Sequence, residues 1–381
     1  MCSLNILFFI GTLTTGGAER QMSVLAKGMA GRGHKVAVVT LFPGGPIAND
    51  LSETQRIELV SLWSKRSKYL LFRLFQILLS PFILRRLTAR MDCLYSMLEV
   101  TNFIAWVATR FKKNVNLIWG IRSSDVEDHW KMALFDNICA FISPTIKLLI
   151  ANSYAGLECL LIRGYRPQRH VVIPNGIDTE KFRYNKDAQR KMRHELDVSR
   201  DQPLIGIVAR LNPMKDHPTF LKAAAHLVNK VDDVRFLCIG GGPDSYAEEL
   251  RVLADKLGLK DRVIWLGDQS NMVAIYSALD IVVSSSAYGE GFSNAIGEAM
   301  SCGVPCVVTD VGDSARIVGD RVRVVEPRSP EKLAQAIYNT LQRKAEVNWA
   351  KITRSRIEEE FSLKRLIDLT EQNLSGNYAV D

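Results

Sequence analysis

The sequence holds no C-x-x-C pair, no D-x-D triplet, no low-complexity tract and no run of about 18 uninterrupted apolar residues. Each absence removes a class of protein. Its seven cysteines (Cys2, Cys93, Cys139, Cys159, Cys238, Cys302, Cys306) are odd in number and dispersed, which argues against a disulfide framework or a zinc site and fits a reducing compartment. The histidines (His34, His129, His170, His194, His217, His226) show no metal spacing, so no metal ligand set is expected. No basic residue precedes the apolar run Leu4–Ile10, and Gly11 follows it at once; the run reads as a first buried strand and not as an export signal. A cytoplasmic protein without a membrane span is the expectation.

What is present is a globular composition, 47% apolar and 24% charged, over 381 residues, enough for two α/β domains. The net charge of +8 is unevenly placed. Residues 1–185 carry 23 Lys/Arg against 13 Asp/Glu, and residues 186–381 carry 26 against 28. A basic half beside a nearly neutral one suggests that one domain faces an anionic surface.

Short β-rich runs alternate with helical segments through both halves. Strands are expected at Leu4–Ile10, Lys35–Leu41, Ile57–Leu62, Asp92–Tyr95, Val115–Trp119, Leu148–Ala151 and His170–Ile173. After Pro174-Asn175-Gly176, the polar stretch Asp178–Arg200 reads as a crossing to a second domain. Strands then resume at Leu204–Ala209, Val234–Ile239, Val263–Leu266, Ile281–Ser284 and Cys306–Thr309. The fold class is therefore α/β, with two doubly wound Rossmann-like domains in series, and a ligand is expected at the carboxyl ends of their strands. The expected divisions are 1–184, 185–360 and a last helix within 361–381 that returns to the first domain.

The strongest chemical signal is Glu290-Gly291-Phe292-Ser293-Asn294-Ala295-Ile296-Gly297-Glu298, which follows a buried strand and a small-residue loop. Ser293 suits an N-cap, so a helix starting near Asn294 would turn its free amides and positive dipole end toward a phosphate. Gly291 lets the backbone approach a ligand closely. Glu290 ahead of the helix and Glu298 inside it can accept hydrogen bonds from two sets of sugar hydroxyls; the same pattern also fits a capped surface helix with solvated glutamates.

Arg210-Leu211-Asn212-Pro213-Met214-Lys215 places two cations just after the strand Leu204–Ala209. A planar fork and a compact charge at that position can clamp a diphosphate and stabilise the charge that grows on a departing nucleoside diphosphate. A pair of solvated surface cations is the alternative. Gly16-Gly17 opens the first helix after strand one, where paired glycines admit a ligand or simply make a tight turn. Glu19 and Arg20 behind them suit a structural ion pair, and Gly240-Gly241-Gly242-Pro243 forms the corresponding loop of the second half, with Gly241 near the nucleotide.

E-x7-E, the preceding R-x4-K, Val172-Ile173-Pro174-Asn175-Gly176-Ile177-Asp178 and Gly16-Gly17-Ala18-Glu19-Arg20 occur in the order found in retaining GT-B glycosyltransferases of family four. The sequence resembles that family over nearly its whole length. The resemblance implies two Rossmann-like domains facing a central cleft, a UDP- or GDP-sugar donor as substrate, no metal cofactor, and retention by front-face attack assisted by the leaving phosphate. It implies that Arg210 and Lys215 bind the donor diphosphate and, with Glu290 on the sugar hydroxyls, carry catalysis. Gly17, Gly241, the Gly291, Phe292, Ser293 and Asn294 backbone, and Glu298 on the ribose would complete the donor site. Many members carry a His in the loop after the strand represented here by Val115–Trp119. This chain reads Gly120-Ile121-Arg122-Ser123-Ser124-Asp125 there, so Arg122 and Asp125 become the candidates for acceptor binding, with Asp125 equally suited to cap the next helix.

Between Glu58 and Asp92 no acid occurs, while Lys65, Arg66, Lys68, Arg73, Arg85, Arg86 and Arg90 flank a body of Leu, Ile and Phe. Lys65–Arg90 suits an interfacial element on an anionic membrane surface, or a buried helix with basic ends. Nucleic acid is the weaker partner, because the cations flank an apolar body instead of lining a polar face. Together these readings suggest a hexosyl or N-acetylhexosaminyl transferase peripheral to the inner membrane face, acting on a lipid-linked glycan in surface polysaccharide assembly. A transferase with a small soluble acceptor and a non-catalytic sugar-nucleotide-binding protein are the rivals. A nicotinamide oxidoreductase is disfavoured, since Leu13-Thr14-Thr15-Gly16-Gly17 breaks the dinucleotide spacing and Val38–Leu41 ends without an acid.

Overall fold

The computed structural model describes residues 3–14, 16–54, 56–110, 112, 114–121, 130–344 and 346–375. Contacts divide the chain into two compact units. One gathers the residues up to Gly176 with those from Leu363 onward, and the other is Ile177–Ser362.

The first unit opens with β1 (Asn5–Ile10), α1 (Gly17–Gly31), β2 (Lys35–Thr40), α2 (Pro46–Ser52), β3 (Ile57–Ser61) and α3 (Leu70–Leu87). It continues with β4 (Cys93–Met97), α4 (Glu99–Thr109), β5 (Asn116–Ile121), α5 (Trp130–Ile142), β6 (Leu148–Ala151), α6 (Tyr154–Ile162) and β7 (His170–Val172). Among the described residues the strands form one parallel sheet in the order β3-β2-β1-β4-β5-β6-β7. Helices cover both faces, so strand side chains are buried on either side. In β1, Ile6, Phe8 and Ile10 enter the core shared with α1, whereas Leu7 and Phe9 enter the core shared with α3 and α4.

The second unit runs α7 (Lys186–Glu195), β8 (Leu204–Val208), α8 (His217–Leu227), β9 (Arg235–Ile239), α9 (Asp244–Lys256), β10 (Val263–Gly267) and α10 (Met272–Ala278). Then come β11 (Ile281–Ser284), α11 (Asn294–Ser301), β12 (Cys306–Thr309), α12 (Ser314–Val318), β13 (Val324–Val325), α13 (Pro330–Gln342) and α14 (Trp349–Glu360). Its parallel sheet has the order β10-β9-β8-β11-β12-β13.

The last helix, α15 (Leu363–Leu374), belongs to the first unit. Leu366 and Leu374 join its core, and Gly28 of α1 admits the contact, since a Cβ there would lie 2.3 Å from Ile367 Cδ1. Arg32 pairs with both Asp368 and Glu371, and His34 Nε2 lies 2.9 Å from Glu371 Oε1. Desolvation, the largest influence on Glu371, pushes its carboxyl up, but hydrogen bonds from His34 and Arg32 and their charges outweigh it and hold the group below its ordinary range.

The polar stretch expected to be a crossing contains a helix. Asn185 caps α7 by accepting from Asp187 N and Ala188 N at 3.1 and 2.9 Å. The residue that α7 buries is Arg193, whose guanidinium donates to Asp280 Oδ2 at 2.7 Å and to the Ala278 carbonyl at 2.9 Å. A helix that anchors through a charged side chain leaves no apolar stripe to read. Glu19 likewise departs from expectation: it accepts from Thr14 Oγ1 at 3.2 Å and forms no ion pair with Arg20 among the described residues.

α3 packs inward through Leu84, with Ile77, Ile83 and Leu87 against the same core. Two further inward positions are polar: Gln76 Nε2 donates to the Lys65 carbonyl at 3.0 Å, Ser67 N donates to Gln76 Oε1 at 3.2 Å, and Trp63 Nε1 donates to Ser80 Oγ at 2.9 Å. Leu71, Phe72, Leu74, Phe75, Leu78 and Phe82 point outward, Leu71 82% and Phe82 67% exposed. α3 therefore covers the sheet on one side and leaves an exposed apolar face on the other. No helix among the described residues is long and apolar enough to cross a membrane.

Candidate active site

In the second unit the strand order reverses between β8 and β11, which lie side by side. Their carboxyl ends form the crevice in which α/β sheets bind ligands. Arg210 and Lys215 follow β8, Gly241 follows β9, and the Glu290–Asn294 segment follows β11, so one end of one sheet gathers them.

Asn212 organises the loop after β8 by accepting from Met214 N at 2.9 Å, which starts a turn of 3-10 helix over Pro213–Lys215. The turn is tied to the neighbouring strand: Ser285 Oγ donates to the Lys215 carbonyl at 2.9 Å, and Ala287 N to the Met214 carbonyl at 2.9 Å. Lys215 Nζ is thereby delivered to the buried Glu290 carboxylate, with which it forms an ion pair. Ser286 Oγ donates to the same oxygen, Glu290 Oε1, at 2.7 Å. A cation so fixed at the carboxyl end of a strand can meet an incoming anion from a defined position. Arg210 stands exposed beside it, with no ion-pair partner among the described residues.

Ser293 takes the N-cap position of α11, but its hydroxyl makes no capping bond. The helix start is not closed by its own cap side chain and keeps its affinity for an anion. The Phe292 side chain is buried against Phe361, ring centroids 5.5 Å apart, which leaves its backbone as the part available to a ligand. Glu298, one turn in, accepts from Tyr276 OH at 2.9 Å. Burial, then the Glu298 charge and this hydrogen bond, holds the Tyr276 phenol well above its usual range, so it remains a donor that orients the carboxylate. Gly241 N donates to Asp268 Oδ1 at 2.7 Å, and its carbonyl accepts from Leu211 N at 2.8 Å, locking the glycine loop onto the Arg210 loop. In the first unit, Gly17 is the first residue of α1 at the carboxyl side of β1, with Gly16 as its N-cap. Arg122 and Asp125 lie outside the described residues.

Ser286, Tyr276 and Gly312 escaped the sequence reading, in which His217 figured only among the histidines without metal spacing. Ser286 lay in the small-residue loop already noted, and Gly312 follows β12 by three residues, a signal of close backbone approach; Tyr276 carried none. His217 is fully buried with neither ring nitrogen hydrogen-bonded, and burial, then the Lys215 charge, lowers its pKa to about 4. The unfolded chain takes up this proton below about 6.5 and the folded one below about 4, so His217 makes stability fall as pH drops through that window. His217→Leu should flatten the fall, gaining about 2 kcal/mol on wild type at about pH 5 relative to about pH 7, as read by urea unfolding. An unchanged pH slope would show that the imidazole is solvated.

Residues 15–181 match the family model described as Glycosyltransferase Family 4, and residues 188–356 that described as Glycosyl transferases group 1. One glycosyltransferase model thus matches each half of the chain. The UDP complex of Anabaena Alr3699/HepE matches with a TM-score of 0.83 at 21% identity, covering 98% of this chain and 100% of that one. The paired parallel sheets are those of the GT-B fold. EpsF of Bacillus subtilis (strain 168) is 32% identical over 172 residues, 43% of this chain and 44% of that protein. A D-inositol 3-phosphate glycosyltransferase of Mycobacterium sp. (strain JLS) is 34% identical over 181 residues, 46% of this chain and 39% of that protein. The chain thus aligns with less than half the length of either relative.

Proposed function

We propose that this two-domain glycosyltransferase moves a hexosyl or N-acetylhexosaminyl group, with retention and without a metal, from a UDP- or GDP-sugar to a hydroxyl of a lipid-linked glycan in surface polysaccharide assembly. The observation that carries the proposal is the Lys215–Glu290 pair, held at the carboxyl ends of β8 and β11 beside Arg210 and the uncapped start of α11. Arg210 and Lys215 take the diphosphate and stabilise its departure. Glu290 turns from the lysine toward sugar hydroxyls, and Glu298, oriented by Tyr276, takes the ribose. UDP in the HepE complex supports a uridine nucleotide.

The acceptor assignment rests on α3. A row of exposed Leu and Phe flanked by Lys65, Arg66, Lys68, Arg85, Arg86 and Arg90 suits docking on the anionic inner face of the cell membrane, where a lipid-carried acceptor is available. A small phosphorylated acceptor is the second reading, favoured by the name of the mycobacterial relative. A panel of UDP- and GDP-sugars scored by the rise in melting temperature tests the donor, and the same panel repeated with EDTA tests independence of metal. The anomeric signal of the product by NMR tests retention. No stabilising sugar nucleotide in the panel, or an inverted product, sinks the proposal. Co-sedimentation with anionic vesicles, lost in Phe72→Ser/Phe75→Ser, separates the lipid acceptor from the small one.

A further inference from the structure

At the amino ends of β5 and β6, a cavity of about 420 Å³ opens between the last turn of α4 and the residues leading into both strands. Trp106, Leu117 and Ile146 give it an apolar and aromatic wall, Arg110, Lys112 and Lys147 give it a basic rim, and no carboxylate among the described residues lines it. Trp106 Nε1 donates to Thr145 Oγ1 at 2.9 Å, which fixes the ring, and the Arg110 guanidinium lies 5.1 Å from the ring centroid. Lys112 Nζ donates to the Arg85 carbonyl at 2.7 Å and to Thr88 Oγ1 at 3.1 Å, joining the rim to the basic end of α3. Cations at helix carboxyl ends ordinarily answer the free carbonyls, and Lys112 does so. Arg110 and Lys147 do not: both are exposed and neither bonds a carbonyl or carboxylate among the described residues. Burial, then the neighbouring Arg85 charge, holds the Lys112 ammonium below its usual range.

We propose that this cavity binds the phosphate of an anionic lipid headgroup, an inference that rests on the reading of α3 as a membrane-docking helix. Arg110 and Lys147 grip the phosphate while the headgroup's carbon skeleton lies on Trp106, which is half-buried. Lys112, bonded to Arg85 and Thr88, ties the rim of the cavity to the carboxyl end of α3, whose exposed Leu and Phe would take the acyl chains of the same leaflet. A free phosphate compound would use the cations and leave the apolar wall idle. Strand β5, about 20 Å long for its six residues, separates the cavity from the carboxyl end of the sheet where α1 begins. The pocket is thus distinct from any site at that end.

Wild type, Arg110→Gln/Lys147→Gln and Phe72→Ser/Phe75→Ser are compared on phosphatidylcholine vesicles carrying either phosphatidylglycerol or a fatty acid at equal surface charge. Each is also titrated with monomeric dihexanoylphosphatidylglycerol and with inorganic phosphate, followed by tryptophan fluorescence. Wild type should prefer the phosphatidylglycerol vesicles and bind the monomeric lipid more tightly than phosphate. The charge variant, with its melting temperature unchanged, should lose that preference and partition about 10–30-fold less. The phenylalanine variant should lose the vesicles and keep the monomer. Equal partition of wild type into both anionic vesicles, unaltered monomer binding in the charge variant, or phosphate binding as tight as lipid overturns the assignment. If wild type ignores vesicles yet binds the monomer through Arg110 and Lys147, the docking reading fails and the pocket stands.

Discussion

Lys215→Ala is expected to lower sugar transfer by about 10²–10³-fold and to abolish the thermal stabilisation that a sugar nucleotide gives the wild-type protein. The ammonium is the one cation of the site held in place by its own chain, through Glu290 and the turn bonded to Ser285 and Ala287. Truncation removes the charge proposed to meet the leaving diphosphate, and the exposed Arg210, without an ion-pair partner among the described residues, cannot replace it at the same spot. It also strands the buried Glu290 carboxylate, to which Ser286 still donates, at a cost of about 1–3 kcal/mol in stability. The two effects are separable. Adding Glu290→Gln to Lys215→Ala should restore much of the lost stability, because the amide carries no charge to compensate, while transfer stays low. Glu298→Ala should abolish the thermal shift as well, through the ribose, without touching the ion pair. If Lys215→Ala still transferred sugar at near the wild-type rate, the diphosphate would have to be bound elsewhere.

Much of this arrangement was legible in the residues because it is carried by local signals. Apolar runs of four to six residues punctuated by Gly and Pro located β8, β9 and β11, and the motifs sit immediately after them, so strand and candidate site were read together. Helix starts such as that of α11 followed from Ser293 and Asn294, although the expected Ser293 cap bond is not made. Elements whose stability comes from other sources were not visible. α7 docks through Arg193, α14 buries only Trp349, Thr353 and Ile357 among its charges, and the two-residue β13 is defined by its neighbour β12. The direction in which α3 faces was not legible either. Its apolar residues lie all around the helix, so periodicity cannot choose a face; Gln76 and Ser80 choose it, by bonding inward to Lys65, Ser67 and Trp63. Partners distant in sequence, such as Tyr276 for Glu298, need the fold before they can be named.

Gly312 supplies the second large effect, through a residue that touches no ligand. Its φ is +61°, and a Cβ there would lie 2.2 Å from the Glu290 carbonyl oxygen and 2.7 Å from its carbonyl carbon. Those are backbone atoms with no rotamer to retreat into, so Gly312→Ala must move the segment that carries Glu290. The next residue, Asp313, donates its amide to the Gly291 carbonyl at 3.1 Å, and that bond would be displaced with it. A misplacement near 1 Å at a reacting centre costs about 10²-fold in rate, which is the loss expected here. The left-handed backbone alone accounts for only about 1 kcal/mol of stability. Gly164→Ala measures that contribution separately, since Gly164 has φ +93° and nothing within 4 Å of the added carbon. Gly312→Ala should therefore lose more stability than Gly164→Ala and, alone of the two, lose transfer. Because Lys215 and Arg210 come from the β8 side, the variant should still bind a nucleoside diphosphate, so kcat falls while the thermal shift given by the nucleotide persists. Transfer within a few-fold of wild type in Gly312→Ala would mean that the Glu290 segment is free to shift without consequence, and its carboxylate would then have no part in holding the sugar.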